Sequence, residues 1–104
     1  MKNKTIKALL EMGMPADIKG FRYIKDIMCL YENDEYLITG NLMCVYEKIA
    51  EQNNTTASRV ERAIRHAFSV VLKNEELSKK YLPTPHKNNG ALLATLYYKL
   101  KMEE

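Results

Sequence analysis

Residues 53–68 read NNTTASRVERAIRHAF. Three arginines, a glutamate and a histidine are interleaved here with small apolar residues, a texture found nowhere else in the chain. Stepping ~100° per residue from Val60 places Ala57, Ala63, Ile64, Ala67, Phe68 and Val71 within about 80° of it on either side. Ser58, Arg59, Glu61, Arg62, Arg65, His66, Ser69 and Lys73 fill the opposite arc, with Leu72 at the edge. The spacing predicts an amphipathic helix over 56–73. A charged helix face usually meets only solvent. Three features argue for more: the basic groups of the arc are mostly arginine, the buried side carries three alanines that allow close approach to a scaffold, and a turn precedes the helix.

That turn belongs to a helix-turn-helix register over 46–65. Ile49 and Ala50 supply the apolar and small residues of the first helix. Asn54 stands where the turn needs a positive φ, a place for Gly and next for Asn. Val60 and Ile64 pack the second helix back onto the first. Thr55 or Thr56 caps that second helix, whose free N–H groups suit a phosphate. With the Arg59–Glu61–Arg62–Arg65–His66 face on the second helix, DNA readout is the leading interpretation. Arginine offers paired donors to guanine O6 and N7, and glutamate can accept from cytosine N4. Because a carboxylate repels phosphate, Glu61 favours sequence-specific over generic binding. An intrahelical pair with Arg65, four residues on, is its alternative role and is compatible with orienting Arg65.

Working outward, the rest is also helical in period. Residues 4–12 carry Ile6, Leu9 and Leu10 on one face and end at Gly13-Met14-Pro15. Residues 18–32 place Ile18, Phe21, Ile24, Ile27, Met28 and Tyr31 at spacings of three and four. Asn33-Asp34 breaks that helix. Residues 40–52 put Leu42, Val45, Tyr46 and Ile49 on one side. A short segment near 75–81 leads to Pro83-Thr84-Pro85, which stops any helix. Residues 89–102 carry Leu92, Leu93, Leu96, Tyr97 and Leu100. No period-two run is convincing. The expected fold is all-α, about six helices around a helix-turn-helix, with residues 1–104 as one domain. Gly13 reads as a helix end and Gly20 as a close-packing site.

Composition bounds the function. The 104 residues are 46% hydrophobic and 28% charged with net charge +3, which permits a polyanionic partner without demanding one. A chain of this length buries roughly 60–70% of its unfolded surface. Lys7 and Glu11 interrupt the first apolar run, so no signal peptide is expected, and no window approaches the ~18 apolar residues of a membrane span. Cys29 and Cys44, each among apolar neighbours and outside any CxxC pair, read as buried reduced thiols. His66 and His86 have no ligands at metal spacing. No nucleophile–base pair or glycine-rich phosphate loop is visible, so no enzyme, metal or other cofactor is expected.

The segment NTTASRVERAIRHA closely resembles the recognition segment of the C-terminal effector domain of the sporulation response regulators, the stage zero sporulation protein A family. EMGMPADIKGFRYIKDIMCLYEND is similar to that family's Ile-Gly-x-Pro-x-x-Ile-Lys-Gly-Tyr segment and following helix. VYEKIAEQNNTTASRV is similar to its scaffold helix and turn, and ALLATLYYKLKME to its last helix. The resemblance spans nearly the whole chain and is most specific in 54–67. It implies an all-helical DNA-binding regulator of bacterial cytoplasm that recognises a short box in double-stranded DNA. Glu61, Arg62 and Arg65 match the family's base-reading positions. Arg59 and His66 match flanking positions that touch the backbone, where Thr55, Thr56 and Ser58 are also expected. The phosphoacceptor receiver domain that precedes the effector domain in the family is not among these residues, so the chain is expected to be a free-standing relative or an excised piece. The segment 73–90 is shorter than its family counterpart, in a region implied to meet RNA polymerase. A weak homodimer or cooperative pairing on DNA is expected, with Leu93, Tyr97, Tyr98 and Leu100 of the last helix as the candidate surface unless the monomer core uses them. A protein-interaction module of the same fold that engages a regulator or polymerase without contacting DNA is the competing function. The intact arginine face weighs against it, because Arg62 and Arg65 serve no packing purpose.

Overall fold

The structure, a computed structural model, describes residues 1–83 and 88–103. Among them the chain forms six α-helices and no strand: α1 (Lys2–Glu11), α2 (Lys19–Asn33), α3 (Leu42–Gln52), α4 (Ala57–Leu72), α5 (Glu75–Ser78) and α6 (Asn89–Met102). The all-α expectation holds. Thr84, Pro85 and His86 of the proline-containing segment lie outside the described residues.

The core is built from the apolar stripes of the five longer helices together with Tyr81 and Leu82, which follow α5. α4 sits in the middle of this arrangement. Val60, Ile64, Ala67, Phe68 and Val71 are buried along its inner face, with Ala57 and Ala63 partly buried beside them. α2 crosses α4 at a point where neither helix carries bulk. A Cβ placed on Gly20 would lie 2.4 Å from the Ala63 carbonyl oxygen and 2.6 Å from the Ala67 Cβ. Hydrogen at Gly20 and methyl groups at Ala63 and Ala67 are therefore what allow the two backbones to approach. Of the three alanines on the inner side of α4, Ala63 and Ala67 have the close-approach role that their pattern suggests.

Two helix ends use the same device. After α1, Gly13 takes φ +82°. Its N–H donates to the Leu10 carbonyl at 3.0 Å, and the Met14 N–H donates to the Leu9 carbonyl at 3.0 Å. After α3, Asn54 takes φ 52°. Its N–H donates to the Glu51 carbonyl at 3.5 Å, and the Thr55 N–H donates to the Ala50 carbonyl at 3.0 Å. Both are Schellman ends, in which a left-handed residue lets the chain satisfy the last carbonyls and leave at a fixed angle. Asn53 ties the second of these turns down, its amide donating to the Ile49 carbonyl at 2.8 Å and to Asp26 on α2 at 3.4 Å.

Two expectations need correction, those for Leu10 and for the cysteines. Leu10 is 53% exposed, while Thr5, Ala8 and Leu9 form the inner stripe of α1, continued by Met12 at its C-cap. Thr5 can turn inward because its hydroxyl donates to the Met1 carbonyl at 2.8 Å, one helical turn back. Cys44 is exposed and Cys29 only half-buried, both as free thiols, since Val45, Tyr46 and Ile49 take the inner face of α3. The break at Asn33-Asp34 falls where the sequence places it, with α2 ending at Asn33. Asp34 caps a 3₁₀ turn, Glu35–Ile38, by accepting from the Tyr36 N–H at 3.1 Å. Leu93, Tyr97 and Leu100 are buried in the monomer, in line with the alternative that the core uses them. Of the suggested pairing surface only Tyr98, 46% exposed, is available.

Candidate nucleic-acid interface

The interface begins at the turn. Once Asn54 has reversed the chain, Thr56 adopts extended backbone and becomes the N-cap of α4, its hydroxyl accepting from the Arg59 N–H at 3.3 Å. One of the first-turn donors is satisfied by this bond, and the helix start remains open to solvent at Thr56, Ser58 and Arg59, all exposed. Thr55, the other capping candidate, is half-buried and serves through its main chain, closing α3. Of the two threonines, Thr56 is the cap.

From there the exposed arc rises along α4. Arg59, Arg62, Arg65, His66 and Ser69 are exposed, and Glu61 is half-buried at its edge. Glu61 and Arg65 form an ion pair, Oε1 to Nη1 at 2.9 Å across one turn. Its exposed guanidinium limits what the pair adds to stability, but the contact holds the Arg65 fork in one orientation. Among the described residues, no carboxylate lies within ion-pairing distance of Arg59 or Arg62. The eight residues singled out from sequence (Thr55, Thr56, Ser58, Arg59, Glu61, Arg62, Arg65 and His66) thus occupy the turn and one continuous side of a single helix. Two free arginines sit beside one braced arginine.

Beneath this arc lies a polar contact that periodicity does not announce. Asn89, the first residue of α6, is 8% exposed. Its amide nitrogen donates to the Glu61 main-chain carbonyl at 3.2 Å and to the Tyr46 hydroxyl on α3 at 3.0 Å. Burial pushes the Tyr46 hydroxyl pKa upward, the Asn89 bond draws it down, and the Glu61 charge pushes it up again. The phenol is neutral at physiological pH and is available as an acceptor. A short polar residue at the start of a helix ordinarily serves as a cap, and the neighbouring Asn88 does so for α6 by accepting from the Ala91 N–H at 2.8 Å. Asn89 is visible only once α3, α4 and α6 are brought together.

No group of three or more metal-ligating side chains occurs among the described residues, and none of their helices is long and apolar enough to cross a membrane. A family model described as sporulation initiation factor Spo0A C terminal matches residues 5–100. The chain belongs to that family, whose members are helical DNA-binding effector domains of transcription regulators rather than enzymes.

Proposed function

We propose that this family member is a sequence-specific regulator that reads double-stranded DNA in the major groove with α4. The observation that carries the proposal is the charge state of the exposed arc: Arg59 and Arg62 have no carboxylate partner among the described residues, and Arg65 is held in place by Glu61. An exposed guanidinium with no ion pair gains little for the fold. Aimed at a base-pair edge, it presents two donors to guanine O6 and N7. Arg62 and Arg65 are assigned to base edges. Glu61 keeps Arg65 in register and offers an acceptor to cytosine N4. Thr55, Thr56, Ser58, Arg59 and His66 are assigned to the sugar–phosphate backbone, where the positive end of α4 adds its own attraction.

The net charge of +3 gives little long-range attraction, so direct readout must carry a large share of useful affinity. One helix-turn-helix covers only a half-site, and two domains on adjacent sites convert the second contact into an effectively intramolecular one. With Leu93, Tyr97 and Leu100 committed to the monomer core, such pairing uses surfaces other than the inner face of α6.

The test is a titration of two duplexes at equal salt: one enriched by this chain from a randomised pool, and a base-shuffled version of it. Arg62→Ala or Arg65→Ala should cost about 1–3 kcal/mol on the enriched duplex and little on the shuffled one. Arg59→Ala should weaken both alike and flatten the salt dependence by about one unit. Equal losses on both duplexes for Arg62→Ala and Arg65→Ala would remove the base-reading assignment.

A further inference from the structure

The Asn89 contact reaches the reading helix at its main chain. In an α-helix the Glu61 carbonyl accepts from the N–H four residues later, which is Arg65. The two residues whose side chains form the ion pair of the exposed arc are thus also joined through this carbonyl. A donor from outside the helix on that same oxygen fixes the turn against rotation and axial sliding, which side-chain packing alone restrains less sharply. Asn89 is itself held from two sides. Asn88 caps α6 directly before it, and the Tyr46 hydroxyl, on a residue only 4% exposed, accepts its second donor. Three helices therefore meet at one amide group.

Burying a carboxamide costs free energy that an apolar side chain of the same size would avoid, and hydrogen bonds recover that cost only when the geometry is maintained. Such a contact therefore favours one arrangement of α3, α4 and α6 over slightly shifted ones of similar packing quality. Base readout is sensitive to shifts of that size, because a bidentate contact needs both donors within hydrogen-bond reach at once.

From this we infer that Asn89, supported by Tyr46, is a positioning residue for DNA reading: it sets the Glu61–Arg65 turn of α4 at the height and rotation from which Arg65 meets a base edge. The inference rests on the reading function proposed above. It adds a specificity determinant on α6, which contributes none of the residues assigned to DNA.

The experiment compares the wild-type chain with Asn89→Leu, which is nearly isosteric and removes the donor without adding charge, and with Tyr46→Phe, which keeps the ring and removes only the hydroxyl. Affinities for the enriched and shuffled duplexes are measured well below each variant's thermal midpoint. Asn89→Leu should lower the ratio between the two duplexes about fivefold or more while leaving affinity for the shuffled duplex unchanged. Tyr46→Phe should lower the ratio about twofold. On an Arg65→Ala background the Asn89→Leu effect on the ratio should largely disappear, since the group being positioned is gone. A ratio unchanged in both variants, with only stability reduced, overturns the positioning role while leaving the reading function standing. If Asn89→Leu does not fold, Tyr46→Phe decides by the same criterion. A wild-type chain that does not distinguish the two duplexes overturns the reading function and the inference together.

Discussion

Two charged regions of this molecule treat their charges in opposite ways. Where α1, the segment after α5 and the end of α6 converge, cations and anions are matched and tied to tyrosines. Lys80 lies 3.7 Å from Glu11 and 3.3 Å from Glu103, and the Tyr81 hydroxyl donates to Glu11 at 2.7 Å. Nearby on α6, Lys101 pairs with Glu35, which also accepts from the Tyr97 hydroxyl at 2.8 Å. On the exposed arc of α4, by contrast, three arginines share one glutamate. The first region spends its charge on joining elements distant in sequence. The second leaves charge unspent on a helix whose inner face is already fully packed. Clustered basic residues can therefore be tied up as a staple in one place and left open, for the contact proposed above, in another.

The largest expected effect tests what holds α4 in place. Gly20→Val would put its Cβ 2.4 Å from the Ala63 carbonyl oxygen and 2.6 Å from the Ala67 Cβ, with two more methyl groups to place and main chain on one side that cannot swing away. Thermal unfolding should show a loss of about 3 kcal/mol, well beyond any gain in helix propensity. A variant as stable as the wild type would show that the fit between α2 and α4 is looser than these distances imply.

A smaller effect isolates the start of the arc. Thr56→Ala removes the hydroxyl that accepts from Arg59 and should cost about 1 kcal/mol in stability. It should also weaken enriched and shuffled duplexes equally, as a backbone contact would. A change in discrimination between them would move Thr56 into the base-reading group.

The smallest effect belongs to the stapled region and appears with pH. The bonds from Lys101 and then Tyr97 hold the Glu35 carboxyl below its ordinary 4.5. For Glu11 the Tyr81 hydrogen bond does the same, opposed next by burial, which raises the value, and helped by the weaker Lys80 and Lys7 charges. A carboxyl whose pKa is lowered by folding contributes stability that is complete above its unfolded value and is lost as the pH falls through the folded one. Stability should therefore decline as the solution is acidified below about 4.5, the ordinary carboxyl value from which both are lowered. Glu11→Gln together with Glu35→Gln should flatten that decline without altering duplex discrimination at pH 7. An unchanged acid limb would mean that these carboxyls are not what joins the region.

The sequence already carried much of the α4 side of this comparison. The left-handed turn at Asn54, the close approach at Gly20 and the small inner residues of α4 all follow from local rules that tertiary context did not override. The stapled region was far less legible, because its contacts join residues 62 or 70 positions apart and no periodic pattern encodes such pairs. Leu10 was misplaced because Thr5 counts as polar by type, although a backbone bond lets it replace an apolar residue on the inner stripe of α1. Asn89 escaped notice for a related reason. Its partners lie on two other helices, and at the start of α6 a short polar residue suits a helix end as well as a buried contact.

The central claim is that the unpaired arc of α4, and not the matched charges near the chain ends, meets DNA. Amide chemical-shift mapping by NMR on addition of the enriched duplex tests it most directly. The account predicts the largest shifts over residues 54–66, a smaller response at Asn89 and Tyr46, and little change at Glu11, Tyr81, Lys80 or Lys101. Shifts centred on Lys80 and Lys101, or spread evenly over both regions, would contradict it.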